Sequence, residues 1–182
     1  MLAINRKIQI GVMGSSADLK YSPRLENLAR QVGLEIAKSG SILVYGAEKD
    51  GGSLSTSAAY GAKEAGGLTV GVTYGCGKNI FDQTGKTDII IVTGLERGGG
   101  REFVLINSCD VIILISGGSG TLSEAAIAYQ INVPIIALAR SGGWADKLSG
   151  TYLDARRRLK VVAALDPVEA VKLAIKEARL RF

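Results

Sequence analysis

Short, wholly apolar runs alternate along this chain with helix-spaced stretches, and a glycine marks nearly every change. Val111–Ile115 is the clearest run, five β-branched or leucine side chains in succession. A strand that is apolar on both sides must be covered on both faces. Helices between such strands supply the cover, and strands joined through helices run parallel. The pattern predicts an α/β fold: one doubly wound, Rossmann-like domain over residues 1–182, with about seven parallel strands and helices on both faces.

The strands are expected at Lys7–Gly14, Ile42–Tyr45, Leu68–Tyr74, Asp88–Thr93, Val111–Ile115, Pro134–Ala139 and Leu159–Leu165. Ser22 followed by Pro23 is a helix start, and Leu25, Leu28, Ala29, Val32 and Ile36 share one face until Gly40. Further helices are expected at Leu54–Ala65, Arg101–Ser108 and Leu122–Ile131, with a last one opening at Pro167. In such folds ligands bind beyond the carboxyl ends of the strands, near the point where strand order reverses. The loops that matter are therefore 14–21, 46–53, 75–87, 94–100, 116–121 and 140–150.

Composition narrows the chemistry. With 182 residues the chain can bury about 70% of its unfolded surface, enough for a self-sufficient core. It has no histidine, which removes Ser-His-Asp and Cys-His catalysis and histidine metal sites. Cys76 and Cys109 are too few for a zinc cluster or a disulfide framework, and Cys109 is expected to be a buried, inert thiol. No apolar segment reaches 18 residues, and Met1–Lys7 has no signal-peptide pattern, so the expectation is a cytoplasmic protein without a membrane partner. Residues 1–139 carry twelve cations against twelve anions, whereas 140–182 carry ten against five. The densest basic run is Arg156-Arg157-Arg158-Leu159-Lys160. With few aromatics to stack bases, nucleic acid is not the expected partner; a solvated surface or another subunit's acids fit the run better.

Glycine is near twice its usual ~7%, 24 residues in all, and its sharpest cluster is Ser116-Gly117-Gly118-Ser119-Gly120-Thr121-Leu122-Ser123-Glu124. Backbone N–H groups in such a loop, backed by a helix N-terminus, can converge on a phosphate without lysine. The competing reading is structural, because Thr121-x-x-Glu124 has capping-box spacing. Gly118-x-Gly120-x-x-Ser123 lacks the last glycine of a dinucleotide fingerprint, and Gly85-Lys86-Thr87 has Ile80 where a P-loop needs glycine, so NAD and ATP-motor readings fall away. Gly46–Ser53 is a second small-residue loop. In a third, Gly98–Glu102, Arg101 is placed to grip a phosphate in bidentate fashion, or to pair with Glu102 or Asp110 at the surface. Trp144, the only tryptophan, covers a planar ligand or anchors its loop, the latter being favoured.

Gly-Gly-x-Gly-Thr-x-x-Glu after a strand, with an arginine two dozen residues upstream, resembles the LOG-like superfamily, whose members long carried a lysine decarboxylase label. The likeness covers nearly the whole chain: Gly11–Ser15, Tyr45-Gly46, Gly61–Gly67 and Arg101–Pro134. The Gly142-Gly143-Trp144-Ala145-Asp146 stretch and the length look most like its molybdenum-cofactor-carrier-like branch. The resemblance implies a site in which Gly14, Ser15, Gly46, Gly117, Gly118, Ser119, Gly120 and Thr121 hold a phosphorylated ligand. Glu124 and Arg101 then stand at the family's catalytic positions. The LOG activity is cleavage of the N-glycosidic bond of a nucleoside 5′-monophosphate, with no required cofactor and no metal. The alternative is a non-catalytic carrier of molybdenum cofactor or a related phosphorylated pterin. A homo-oligomer, dimer or tetramer, is also implied, and the apolar circumference of Leu122–Ile131 agrees with it.

Glu124 at a helix N-terminus is expected to stay ionised and to stabilise the positive charge of a departing sugar. Against the family pattern, Ser116 replaces a proline, Gly99 and Glu102 flank Arg101 in place of histidine and lysine, and Glu48 and Asp50 add negative charge. No lysine stands in Gly117–Glu124 to hold pyridoxal phosphate, so the decarboxylase label is set aside.

Overall fold

The computed structural model describes residues 6–16, 19–82, 85 and 87–181. Met1–Asn5, positions 17 and 18 of the first ligand-end loop, and Lys86 of the Gly85–Thr87 stretch lie outside them. Element order is β1 (Gln9–Gly14), α1 (Pro23–Lys38), β2 (Ile42–Ala47), α2 (Leu54–Glu64), β3 (Thr69–Thr73), β4 (Ile89–Val92), α3 (Arg101–Asn107), β5 (Val111–Ile115), α4 (Ser119–Gln130), β6 (Ile135–Leu138), α5 (Gly143–Leu148), β7 (Val162–Ala164) and α6 (Pro167–Leu180).

The seven strands form one sheet in the order β4-β3-β2-β1-β5-β6-β7, all neighbours parallel. Alternate strand residues feed two cores. Ile10, Val12, Leu43, Tyr45, Val111, Ile113 and Ile115 meet buried residues of α1, α2 and α6 on one face. Met13, Val44, Val72, Ile112, Leu114 and Ile135 meet those of α3, α4 and α5 on the other. The doubly wound α/β sheet read from the apolar runs is thus the observed fold. No helix among the described residues is long and apolar enough to cross a membrane.

Beyond shifts of one or two residues at element ends, three differences from expectation stand out. Helix α4 begins at Ser119, not Leu122, because the glycine-rich loop continues straight into helical turns. Residues 140–150, expected as loop, contain α5, whose Ala145 and Leu148 are buried at i, i+3. Strand β7 is cut to three residues. Ser22 caps α1 with Pro23 in the first turn, as the sequence predicts. Helices α1 and α2 pack unusually close: a Cβ on Gly33 would lie 1.7 Å from the Ala58 carbonyl oxygen, and one on Gly61 1.9 Å from that of Arg30.

Strand order reverses between β1 and β5, which pair side by side with Gly14 opposite Ile115. Their carboxyl ends splay the following segments to opposite faces, opening a crevice of the kind that binds ligands.

Candidate functional site

That crevice is a cleft of about 680 Å³ with its open mouth included. Its walls come from four strand-end segments: Gly14, Ser15, Ser16 and Leu19 after β1; Gly46, Glu48, Ser53 and Ser55 after β2; Arg97, Arg101 and Glu102 after β4; and Gly118–Thr121 with Glu124 after β5. Every residue expected from the sequence lines it except Gly117, which is buried just behind.

The turn between β5 and α4 is built under constraint. Ser116 has φ 55° and Gly117 φ 99°, and the Thr121 side chain sits 2.4 Å from where a Gly117 Cβ would stand. Such left-handed backbone persists only when its surroundings hold it. Ser141 Oγ accepts from the Ser116 amide at 2.8 Å and donates to the Leu138 carbonyl at 2.6 Å. Asp146 in turn accepts from the Ser141 amide. The Trp144 and Ala145 amides donate to the carbonyls of Gly117 and Ser116. Trp144 packs against the second core, so it anchors its loop and is not among the cleft-lining residues. The Gly117 amide donates to Ser15 Oγ at 3.0 Å, which removes it from the expected anion cup.

The cup is therefore one residue shorter. Gly118 is the N-cap of α4 and no side chain caps that helix. The capping-box reading of Thr121 and Glu124 is corrected by this: both lie inside the helix, and neither closes its end. The first-turn amides at Ser119, Gly120 and Thr121 have no intrahelical acceptor, and a Cβ on Gly120 would meet nothing within 4 Å among the described residues. Open space over free amides and a positive helix end suits a phosphate.

Arg101 opens α3 from behind an uncapped Gly100 at φ 126° and is 3% exposed. The expected surface pairing with Asp110 is corrected, because Asp110 is held by Arg6 across the far end of the sheet. Arg101 instead donates from Nη2 to Glu48 Oε1 at 3.3 Å, and its Nε lies 3.4 Å from Glu102 Oε1 without hydrogen-bond geometry. Nε and Nη1 are buried with no hydrogen-bond partner among the described residues, a costly state for cationic donors. Gly46 is what lets the guanidinium in: a Cβ there would lie 2.0 Å from Nη1.

Glu48 bridges Arg101 and Arg97, the latter at 3.6 Å, while Glu102 accepts from the Gly98 amide with both oxygens at 3.1 Å. Three carboxylates, Glu48, Glu102 and Glu124, thus share the cleft with two guanidinium groups. Burial pushes the Glu124 carboxyl up to about 8; Arg101 pulls it down, and Glu102 and Glu48 push it further up. The expectation that Glu124 stays ionised is corrected accordingly. It lies more than one turn into α4, beyond the reach of the dipole, and desolvation prevails. Taking Glu124 as protonated leaves the five groups neutral overall.

Glu48 and Arg97 were not named as site residues by sequence reasoning, though each lies on a ligand-end loop that the fold marks out. Elsewhere, Cys109 is buried and Cys76 exposed; burial pushes the Cys109 thiol up, in line with an inert role. Within the basic run, Arg156 pairs with Asp154 and lies against the Tyr129 ring. Among the described residues no cluster of side chains is fit to hold a metal ion.

Comparison with known proteins adds independent weight. The molybdenum cofactor carrier protein of Chlamydomonas reinhardtii is 35% identical, superposes with a TM-score of 0.77, and is matched over 94% of this chain and 98% of its own. The molybdenum cofactor binding protein of the phototrophic bacterium Rippkaea orientalis is 32% identical, with a TM-score of 0.76 over 94% and 98% of the two chains. An uncharacterized protein of Archaeoglobus fulgidus is 34% identical over 123 residues, 68% of this chain and 74% of that one. The model of the SLOG cluster4 family matches residues 7–171, and the chain belongs to that family, within the LOG-like superfamily.

Proposed function

We propose that this protein holds a phosphorylated, pterin-type ligand such as molybdenum cofactor, its phosphate seated on the Ser119–Thr121 amides and its body lying over Arg101 and Glu124. One observation carries the reading: uncapped α4 amides and buried Arg101, whose Nε and Nη1 make no hydrogen bond among the described residues, belong to one cleft. Chains with this fold and about a third of this sequence are described as binding or carrying molybdenum cofactor, which supports the choice of ligand.

Hydrolysis of a nucleoside 5′-monophosphate is the second reading, and the presence of both Glu124 and Arg101 in the cleft favours it. A carboxyl titrating near 8 is a weak electrostatic partner for an oxocarbenium-like sugar at neutral pH, but it can protonate a leaving base. Holding a ligand needs neither step, so binding without turnover comes first. The cytoplasm and a homo-oligomer belong to the same proposal; Leu122 and Ile127 on α4 and Ile131 at its C-cap stay only half-buried, available to a second copy.

Two measurements separate the readings. Protein expressed with the cofactor present and then heat-oxidised should release pterin fluorescence; a blank extract contradicts the carrier role. Purified protein given AMP or GMP should release no base. Release of base and ribose 5-phosphate, lost in Glu124→Ala, would establish the hydrolase instead.

A further inference from the structure

Beside the phosphate cleft lies a second pocket of about 470 Å³, sharing Ser16, Glu48 and Arg97 with it. Its own residues are Asp50, Gly51, Gly52 and Tyr74. A ligand that sets its phosphate on α4 therefore has an adjoining compartment in reach, and the chemistry of that compartment is selective.

The walls are fixed in place. Lys49 Nζ stands 5.1 Å from the centroid of the Tyr74 ring and donates to the Cys76 carbonyl at 3.1 Å, latching the loop after β2 to the loop after β3. The Phe81 amide donates to the Glu48 carbonyl at 2.7 Å, tying down the same loop. Gly51 and Gly52 leave one side without side chains. Packing does not demand this at Gly52, where a Cβ would make ordinary contact, 3.4 Å from Phe81. The result is a slot with an aromatic residue on one wall and bare backbone on another, suited to a flat ring.

Asp50 supplies the edge. Its Oδ2 accepts only a long hydrogen bond, 3.5 Å, from Tyr74 Oη among the described residues, so the carboxylate has acceptor capacity to spare. A carboxylate reads two parallel N–H donors in a bidentate, charge-assisted pair. In a 2-amino-4-oxopyrimidine ring, the ring N–H and the 2-amino group present that pair. Adenine offers no such pair: beside its amino group stands a ring-nitrogen lone pair that a carboxylate repels.

Building on the phosphate-cup reading, the geometry points to Asp50 as the specificity-determining residue for a 2-amino-4-oxopyrimidine edge, carried by guanine or by a pterin, stacked in the Tyr74 slot. Calorimetric titration of the intact protein with GMP, IMP, AMP, ribose 5-phosphate and neopterin monophosphate tests it. GMP should bind about tenfold tighter than AMP, the worth of one partly solvated charge-assisted pair, and IMP, which lacks the 2-amino group, should fall between. Asp50→Asn should bring GMP down to the AMP level, while ribose 5-phosphate, relieved of a nearby negative charge, binds at least as tightly as before. Asp50→Ala serves as a second variant, with circular dichroism to confirm that each folds. If ribose 5-phosphate binds but GMP is no tighter than AMP, or Asp50→Asn leaves GMP binding intact, the edge assignment is overturned and the cup stands. If ribose 5-phosphate also fails to bind, both fall. Neopterin monophosphate binding tighter than GMP assigns the edge to a pterin, and the reverse order assigns it to guanine.

Discussion

Glu124→Gln should abolish a pH dependence of folding that the wild type carries. In the folded protein, burial moves this carboxyl from the usual 4.5 to about 8; in the unfolded chain water restores the ordinary range. Between those limits the native state holds a proton that the unfolded state has released. Stability therefore falls as pH rises from about 4.5 to about 8, and levels off above. A tenfold change in proton affinity is about 1.4 kcal/mol, so the full span corresponds to about 5 kcal/mol. Glutamine keeps the shape and cannot ionise. Urea denaturation followed by circular dichroism at pH 5, 7 and 9 gives the difference between variant and wild type, in which all other titrations cancel. The two should agree within about 1 kcal/mol at pH 5, and the variant should be the more stable by about 5 kcal/mol at pH 9. A difference that stays constant, or one in which the wild type gains as pH rises, would refute the assignment of a buried, proton-holding Glu124.

Other consequences are open to the same kind of test. Gly46→Ala drives a methyl into the Arg101 guanidinium and should weaken ribose 5-phosphate binding at least tenfold in calorimetry while the fold survives. Glu48→Gln removes the carboxylate that faces both Arg101 and Arg97, so phosphate esters should bind several-fold tighter; weaker binding would show that Glu48 helps the ligand. Gly61→Ala sets a Cβ against the Arg30 carbonyl and should cost about 2–3 kcal/mol in urea denaturation, as overpacking does. Ser141→Ala orphans the Ser116 amide and should cost about 1–3 kcal/mol, with ligand affinity falling alongside.

Much of this molecule is legible in its sequence because the dominant signals are local. The run at Val111–Ile115 is apolar at every position since both faces of β5 are covered, and Ser22-Pro23 marks α1 through cap chemistry alone. The strand-end rule then collects, without coordinates, the loops that line the cleft. What failed did so where tertiary context outweighs local pattern. Thr121-x-x-Glu124 has capping spacing, yet the helix starts earlier on Gly118, and no propensity reveals where a glycine loop turns helical. The charge state of Glu124 is set first by burial in the assembled cleft and then by Arg101, Glu102 and Glu48, brought in from segments distant in the chain. Arg101 has no local sign of burial: its α3 turn is short, and the decisive neighbour, Gly46, lies 55 residues upstream. Helix α5 was hidden by its two leading glycines, although Ala145 and Leu148 at i, i+3 carry its signal.

The most direct test is a crystal structure of the protein soaked with a phosphate ester such as GMP. The phosphate oxygens should lie at hydrogen-bond distance, roughly 2.7–3.2 Å, from the amides of Ser119, Gly120 and Thr121, with the sugar or its equivalent against Arg101 and Glu124. A phosphate bound elsewhere, with those three amides facing only water, would contradict the account.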